Sequence, residues 1–303
     1  QIGNYFMRAA RSQLPIIVDP VLDEYVSSVG NKLLMHAKGV QFPFEFFIVN
    51  NLNLNASAFL GGKVQINTGL FVYSDTEDEF ASVLAHEISH VTQRHIARFI
   101  ESEVKKSNTS IASIVGAIAL SIINPAVGMA ALSTSLGLAQ QSRINFTRDN
   151  ESEADRIGID LLNRAGFNPE GTTDMFRKLL NMQGNINPVF ALLIDHPLSE
   201  VRIAEAENRI AQLKKRQDST NPDFFMAKAR IDVRYKKNDF ADLKEVLKND
   251  LKANRYYKNY ALALTCFELN EFKEAKTYLN NLGANMQNNL FVVDLLTDID
   301  LKE

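Results

Sequence analysis

Two imidazoles and a carboxylate set the first question. His86-Glu87-Ile88-Ser89-His90 places two histidines four residues apart with an acid between them. On a helix, residues at i and i+4 share a face, so both rings can hold one divalent ion while Glu87 stands beside it. Two ligands from one turn, a third from elsewhere and an open position for water make the pattern of a catalytic zinc site. A structural zinc site would need four closed protein ligands, often cysteines, and the chain has a single cysteine, Cys266. His95 follows His86 by nine residues, about 180° round a continuous helix. It is expected to face away from the metal.

Two later segments carry groups that complete such a site. Asp149-Asn150-Glu151-Ser152-Glu153-Ala154-Asp155 reads as the opening of a helix that runs to Ala165, with Gly166 as its cap and Pro169 beyond. Glu151 and Asp155 share a face, and Ala154 and Gly158 are small enough to let another helix come close. Glu151, from its place at a helix start and its partner Asp155, is the expected third ligand to one Zn²⁺ per chain. Asp155 is expected to accept a hydrogen bond from a ligand imidazole and fix its tautomer. Glu87 would take a proton from water during attack on a peptide carbonyl and return one to the leaving amine. Asp195-His196-Pro197 then precedes Arg202, with Pro197 suited to the first turn of a helix. Arg202 or His196 could stabilise the oxyanion. A third histidine ten residues after the first would mark the metzincin class; Ile96 stands there, which excludes it.

The elements that must hold these groups are mostly helical, with a small sheet: an α+β fold. Pro20 opens an apolar-periodic helix that Gly39 is expected to end, and residues 1–40 as a whole read as helical. Phe44–Val49, Asn55–Phe59 and Val64–Asn67 read as strands, the last two joined by the hairpin signal Gly61-Gly62. Asn55, Ala56, Ser57, Ala58 and Phe59 lie on a strand to which an extended peptide could add by main-chain pairing. Ser74-Asp75-Thr76-Glu77 reads as a capping box that starts the motif helix. Between Ser107 and Ser142 no residue is charged, and Asn124-Pro125 divides two apolar segments, each shorter than the ~20 residues that span a bilayer. A buried helical hairpin and a hairpin lying on a membrane surface both fit this stretch, 107–142. Gln212–Asn221 is polar and ends before a proline, which puts a boundary between a catalytic domain at 1–215 and a second unit at 222–303. There Asn238-Asp239-Phe240 and Asn270-Glu271-Phe272 recur 32 residues apart between paired helices, a spacing of tetratricopeptide type. Repeats of this kind need stacked neighbours and a cap, so the natural chain is expected to continue past Glu303.

Composition adds exclusions. The 303 residues carry a net charge of −3 and a pI near 6.0, without a nucleic-acid footprint. With one cysteine there is no intramolecular disulfide framework, and Gln1–Met7 has no basic stretch followed by an apolar core, so the chain is expected to be a processed or trimmed form.

The series His86-Glu87-x-x-His90, Glu151-x-x-Ala154-Asp155 and His196-Pro197-x-x-x-x-Arg202 resembles that of the HtpX and Oma-type gluzincin metallopeptidases. Asn55-Ala56-x-Ala58-Phe59 with Gly61-Gly62 is similar to their active-site edge strand, although Leu60 replaces the usual proline before the glycines. With the repeat tail, the chain resembles the BepA-like periplasmic proteases. The resemblance covers residues 40–210 closely and 222–303 loosely. It implies a periplasmic enzyme, peripheral to the outer membrane, that degrades misfolded or stalled outer-membrane proteins or helps assemble them, with protein partners on the repeats. It also implies that His196 can act as a fourth zinc ligand that displaces the catalytic water and holds the enzyme latent. The alternative is a chaperone-like assembly factor whose zinc site is residual.

Overall fold

The computed structural model describes residues 2–106, 116, 140–183, 192 and 196–303. Helices α1 (Ile2–Gln13) and α2 (Pro20–Leu34) precede strands β1 (Glu45–Val49), β2 (Ala56–Phe59) and β3 (Lys63–Asn67). Then come α3 (Thr68–Tyr73), α4 (Glu77–Thr92), α5 (His95–Lys106), α6 (Gln140–Arg164), α7 (Glu170–Gln183) and α8 (Glu200–Ala211). Five more helices follow: α9 (Pro222–Arg234), α10 (Phe240–Asn249), α11 (Arg255–Glu268), α12 (Phe272–Asn280) and α13 (Leu290–Lys302). The expected α+β class holds.

β3 lies at the centre of the sheet, parallel to β1 and antiparallel to β2, which leaves β2 as an edge. Gly61 and Gly62 turn the β2–β3 hairpin at φ of 83° and 74°, a region that side chains disfavour. Several boundaries differ from the sequence expectation. The capping box sits two residues later: Thr76 Oγ1 accepts from Glu79 N at 3.2 Å, and Glu79 reaches back to Asp75 N at 2.6 Å. α2 stops at Leu34, and Gly39 lies in the following loop at φ 77°. α6 starts at least nine residues before Asp149, because nothing from Gln140 to Arg148 breaks a helix, so Glu151 stands mid-helix and not in a first turn. Of the expected apolar hairpin at 107–142, only Gly116 and the start of α6 fall within the described residues.

α4 is buried along most of its length, with Phe80, Ala81, Leu84, Ala85 and Ile88 fully inaccessible. One apolar cluster runs from α2 and the sheet through α4 and α6 into α9, α11 and α13. The irregular segment 212–221 is stitched to α4's first turn. Ser219 N donates to Asp78 at 2.5 Å, while Ser219 Oγ and Asn221 Nδ2 donate to Glu77 at 2.6 and 2.7 Å. Beyond it α9 and α10 both pack against α11, and α11 packs against α12 in turn; α9 and α11 start at Pro222 and Arg255. A second tie is polar and buried: Arg230 on α9 donates to Asp19, the N-cap of α2, at 2.7 Å.

Candidate metal centre

α4 presents His86 and His90 one turn apart, their Nε2 atoms separated by 2.9 Å. α6 crosses it closely because Ala154 and Gly158 are small: a Cβ on Gly158 would stand 3.3 Å from His86 N. That approach delivers Glu151, whose carboxylate oxygens lie 3.3 Å from His86 Nε2 and 3.5 Å from His90 Nε2. His196 enters from the chain before α8, its Nδ1 3.3 Å from His86 Nε2 and 3.1 Å from Glu151. One donor atom from each of His86, His90, Glu151 and His196 falls within 4.8 Å of every other. Three ring nitrogens and a carboxylate oxygen aimed at one point form a donor set that suits a tetrahedral zinc ion. The residues fit the metal.

Glu87 is beside this point. Its Oε2 accepts Ala58 N–H at 2.8 Å, so the edge strand β2 fixes the carboxylate, and its Oε1 lies 3.2 Å from His196 Nε2. Asn55 precedes β2 and its carbonyl accepts Asn67 N–H, while Ala56, Ser57, Ala58 and Phe59 form the strand. Asp155 sits 2.9 Å from His86 Nδ1, where it can accept that proton and leave Nε2 for the metal. The oxyanion expectation for Arg202 meets a different geometry. The guanidinium donates twice to Asp155, at 2.6 and 2.9 Å, and once to the Pro197 carbonyl at 2.7 Å, with Glu151 3.2 Å away. It is engaged by acceptors of the protein itself, buried at 5% exposure, and so braces the carboxylates that orient the centre. The helix that carries it begins at Glu200, with Ser199 and not Pro197 at its start: Ser199 Oγ caps Arg202 N, while Pro197 stays in the loop.

Charge in the centre is strongly coupled. Burial opposes ionisation of Glu151, yet His196 and His86 hold its carboxyl well below the usual range. Burial likewise disfavours a charged His196, but Glu87 and Glu151 raise its pKa well above that of a free imidazole. Burial, then the neighbouring His86 and His196, keep His90 well below it.

His95 departs from its expected place. α4 ends at Thr92, Arg94 adopts φ 58°, and α5 starts at His95, so the ring folds back instead of continuing round the helix. Its Nδ1 lies 2.9 Å from His90 Nδ1 and its Nε2 3.1 Å from Glu153 Oε2. It is not one of the four converging donors. Sequence spacing could not show this, because no glycine or proline marks the break at Arg94; the signal that stood in view was Glu153, on the opposite side of α6's acidic run from Asp155.

The fold and site define a zincin-type metallopeptidase centre, built on a helix-borne His-Glu-x-x-His and a glutamate from a second helix. Residues 20–210 match the model of peptidase family M48, and the chain belongs to that family. It is 41% identical over 99% of its length to the beta-barrel assembly-enhancing protease of Escherichia coli strain K12, and 38% identical over 99% to that of Yersinia pestis. The metalloprotease YcaL of Escherichia coli is 31% identical over 62% of this chain and 72% of its own. The chain spans 62% of the length of each beta-barrel assembly-enhancing protease. No helix among the described residues is long and apolar enough to cross a membrane.

Proposed function

We propose that this protein is a zinc-dependent endopeptidase that hydrolyses peptide bonds of misfolded or stalled outer-membrane proteins, held latent by His196. The observation that carries the reading is the convergence of His86, His90 and Glu151 with Glu87 pinned beside them on β2. A zinc ion held by these ligands would supply Lewis acidity toward water and the scissile carbonyl. Glu87 is placed to take the water's proton and pass it to the leaving amine, with Ala58 N–H keeping one carboxylate oxygen in register. Apolar clefts flank the centre. One is lined by Val83, Ile159, Phe176, Leu192 and Leu198, the other by Phe42, Phe59, Leu60 and Val91 next to β2. The cleft beside β2, about 230 Å³, suits side chains of an extended, apolar-rich chain of the kind an unfolded β-barrel precursor presents. His196, whose Nδ1 meets Glu151 and whose Nε2 meets Glu87, would in this reading take the fourth position on the ion and so exclude the attacking water.

The similarity to beta-barrel assembly-enhancing proteases supports this substrate class. In this reading the protein works in the periplasm, peripheral to the outer membrane, with protein partners on tetratricopeptide-like repeats at 222–303 and membrane-surface contact by 107–142, as the motif resemblance and the uncharged stretch imply. Arg202 acts in this reading through Asp155 and Glu151, as a positioning residue. The test is cleavage of an unfolded protein such as casein by three forms, each with its metal content measured. Glu87→Gln should keep about one zinc per chain and lose cleavage, whereas His196→Ala should cleave faster than the parent. Near-parental cleavage by Glu87→Gln would exclude the mechanism, and a fall in cleavage by His196→Ala would exclude the latch.

A further inference from the structure

The two ligand imidazoles are oriented by different devices. His86 has Asp155 directly behind it. Behind His90 stands another imidazole, that of His95, 3% exposed, and behind that the carboxylate of Glu153, which Arg98 holds at 2.6 Å. The protonation pattern along this line is forced. His90 Nε2 faces Glu151 and His86 and must keep its lone pair for the metal, so the ring proton is on Nδ1. Nδ1–H then needs an acceptor, and the atom 2.9 Å away is His95 Nδ1, which must be unprotonated. The remaining His95 proton lies on Nε2, where Glu153 Oε2 accepts it at 3.1 Å.

We propose that His95 and Glu153 are positioning residues for the metal ligand His90, a relay that fixes its tautomer and ring plane as Asp155 does for His86. The inference rests on the zinc reading above but concerns binding of the ion, not turnover. The unusual backbone at Arg94 gains a purpose here, because a helix continued through residue 95 would carry this ring to the far side. Partners behind a ligating histidine commonly set metal affinity by 10–100-fold.

The test is the zinc dissociation constant, measured by competition with a chromophoric chelator, together with the melting midpoint of each metal-free form. His95→Leu removes the acceptor and should weaken zinc binding about 10–100-fold. His95→Asn places Oδ1 close to where Nδ1 stood and should recover most of that loss. Glu153→Ala, on a partly exposed side chain, should weaken zinc by about tenfold with an unchanged metal-free midpoint, and it decides the matter even if His95→Leu does not fold. Absorption of the cobalt-loaded forms should shift in His95→Leu and return toward the parent in His95→Asn. Zinc affinity within twofold of the parent in Glu153→Ala, or an equal loss in His95→Asn and His95→Leu, would overturn the relay. Zinc binding by these variants does not depend on proteolysis, so failure of the relay and failure of the peptidase reading are separable.

Discussion

Replacing Asp19 with Asn removes one negative charge from the junction between α2 and the repeat helices. Asp19 Oδ2 accepts from Arg230 Nε at 2.7 Å and Tyr235 Oη at 2.8 Å, while Oδ1 caps α2 through Val21 N and Leu22 N. Both Asp19 and Arg230 are 3% exposed, so the arginine cannot turn to water when its partner is lost. Breaking a buried pair by removing one partner costs about 3–5 kcal/mol. Asp294 stays on Arg230 at 2.7 Å, which puts Asp19→Asn at the lower end, about 3 kcal/mol. Asn keeps the capping oxygen; Asp19→Ala loses it too, for about 1 kcal/mol more. Urea unfolding at pH 7 reads both values. A cost below 1 kcal/mol for Asp19→Asn, or an Asp19→Ala no worse than Asp19→Asn, would refute the reasoning. The pH dependence has a definite sign. Burial pushes the Asp19 carboxyl up, but the Arg230 hydrogen bond and charge prevail and hold it below its ordinary value. The pair therefore stabilises fully above the unfolded aspartate pKa of about 3.9, and its contribution is lost as pH falls through the lower folded value. The gap between parent and Asp19→Asn should be constant from pH 7 to 5 and close in acid.

Other perturbations act nearer the metal centre. Glu151→Ala should strip zinc affinity sharply, by metal analysis after dialysis; unchanged metal content would show that another group is the ligand. Arg202→Met leaves Asp155 and Glu151 buried without their cation and should cost about 3–5 kcal/mol in urea unfolding, part of which Arg202→Lys restores. Gly158→Val drives a side chain against the backbone at His86 and should cost about 1–3 kcal/mol while weakening zinc, since α6 carries Glu151 and Asp155. A Gly158→Val variant with parental zinc affinity would mean that the helix spacing does not set the ligand geometry.

The residues that bear the chemistry were readable because their spacing is the chemistry: His86 and His90 must share a helix face, and Glu151 and Asp155 must share another. The hairpin was readable because Gly61 and Gly62 are needed there for their backbone angles. What spacing did not reveal was set by tertiary contact. The start of α6 is invisible because Gln140–Arg148 contains neither cap nor breaker, and an acidic run further on imitates one. The stop of α4 depends on Arg94 taking a left-handed conformation that its sequence does not demand, and His95 was misplaced with it. The carboxylate partners of Arg202 were not legible because Asp155 and Glu151 lie about 50 positions earlier in the chain.

The polar segment 212–221 looks like a place to cut the protein in two, and the hydrogen bonds it makes argue against cutting there. Glu77 and Asp78 are buried at 4% and 1% exposure, and Ser219 and Asn221 supply much of what satisfies them. They stand nine and eight residues before His86 on the same helix, about 12–13 Å along its axis. A fragment ended at residue 215 would keep all four converging donors, yet leave Glu77 with the Tyr25 hydroxyl and Asp78 with Asn168 N–H alone of these partners, and uncover the ground on α2 and α3 where α9 packs. The smallest piece that carries the chemistry is therefore longer than the piece that carries the motifs: the tail helps to fold the enzyme.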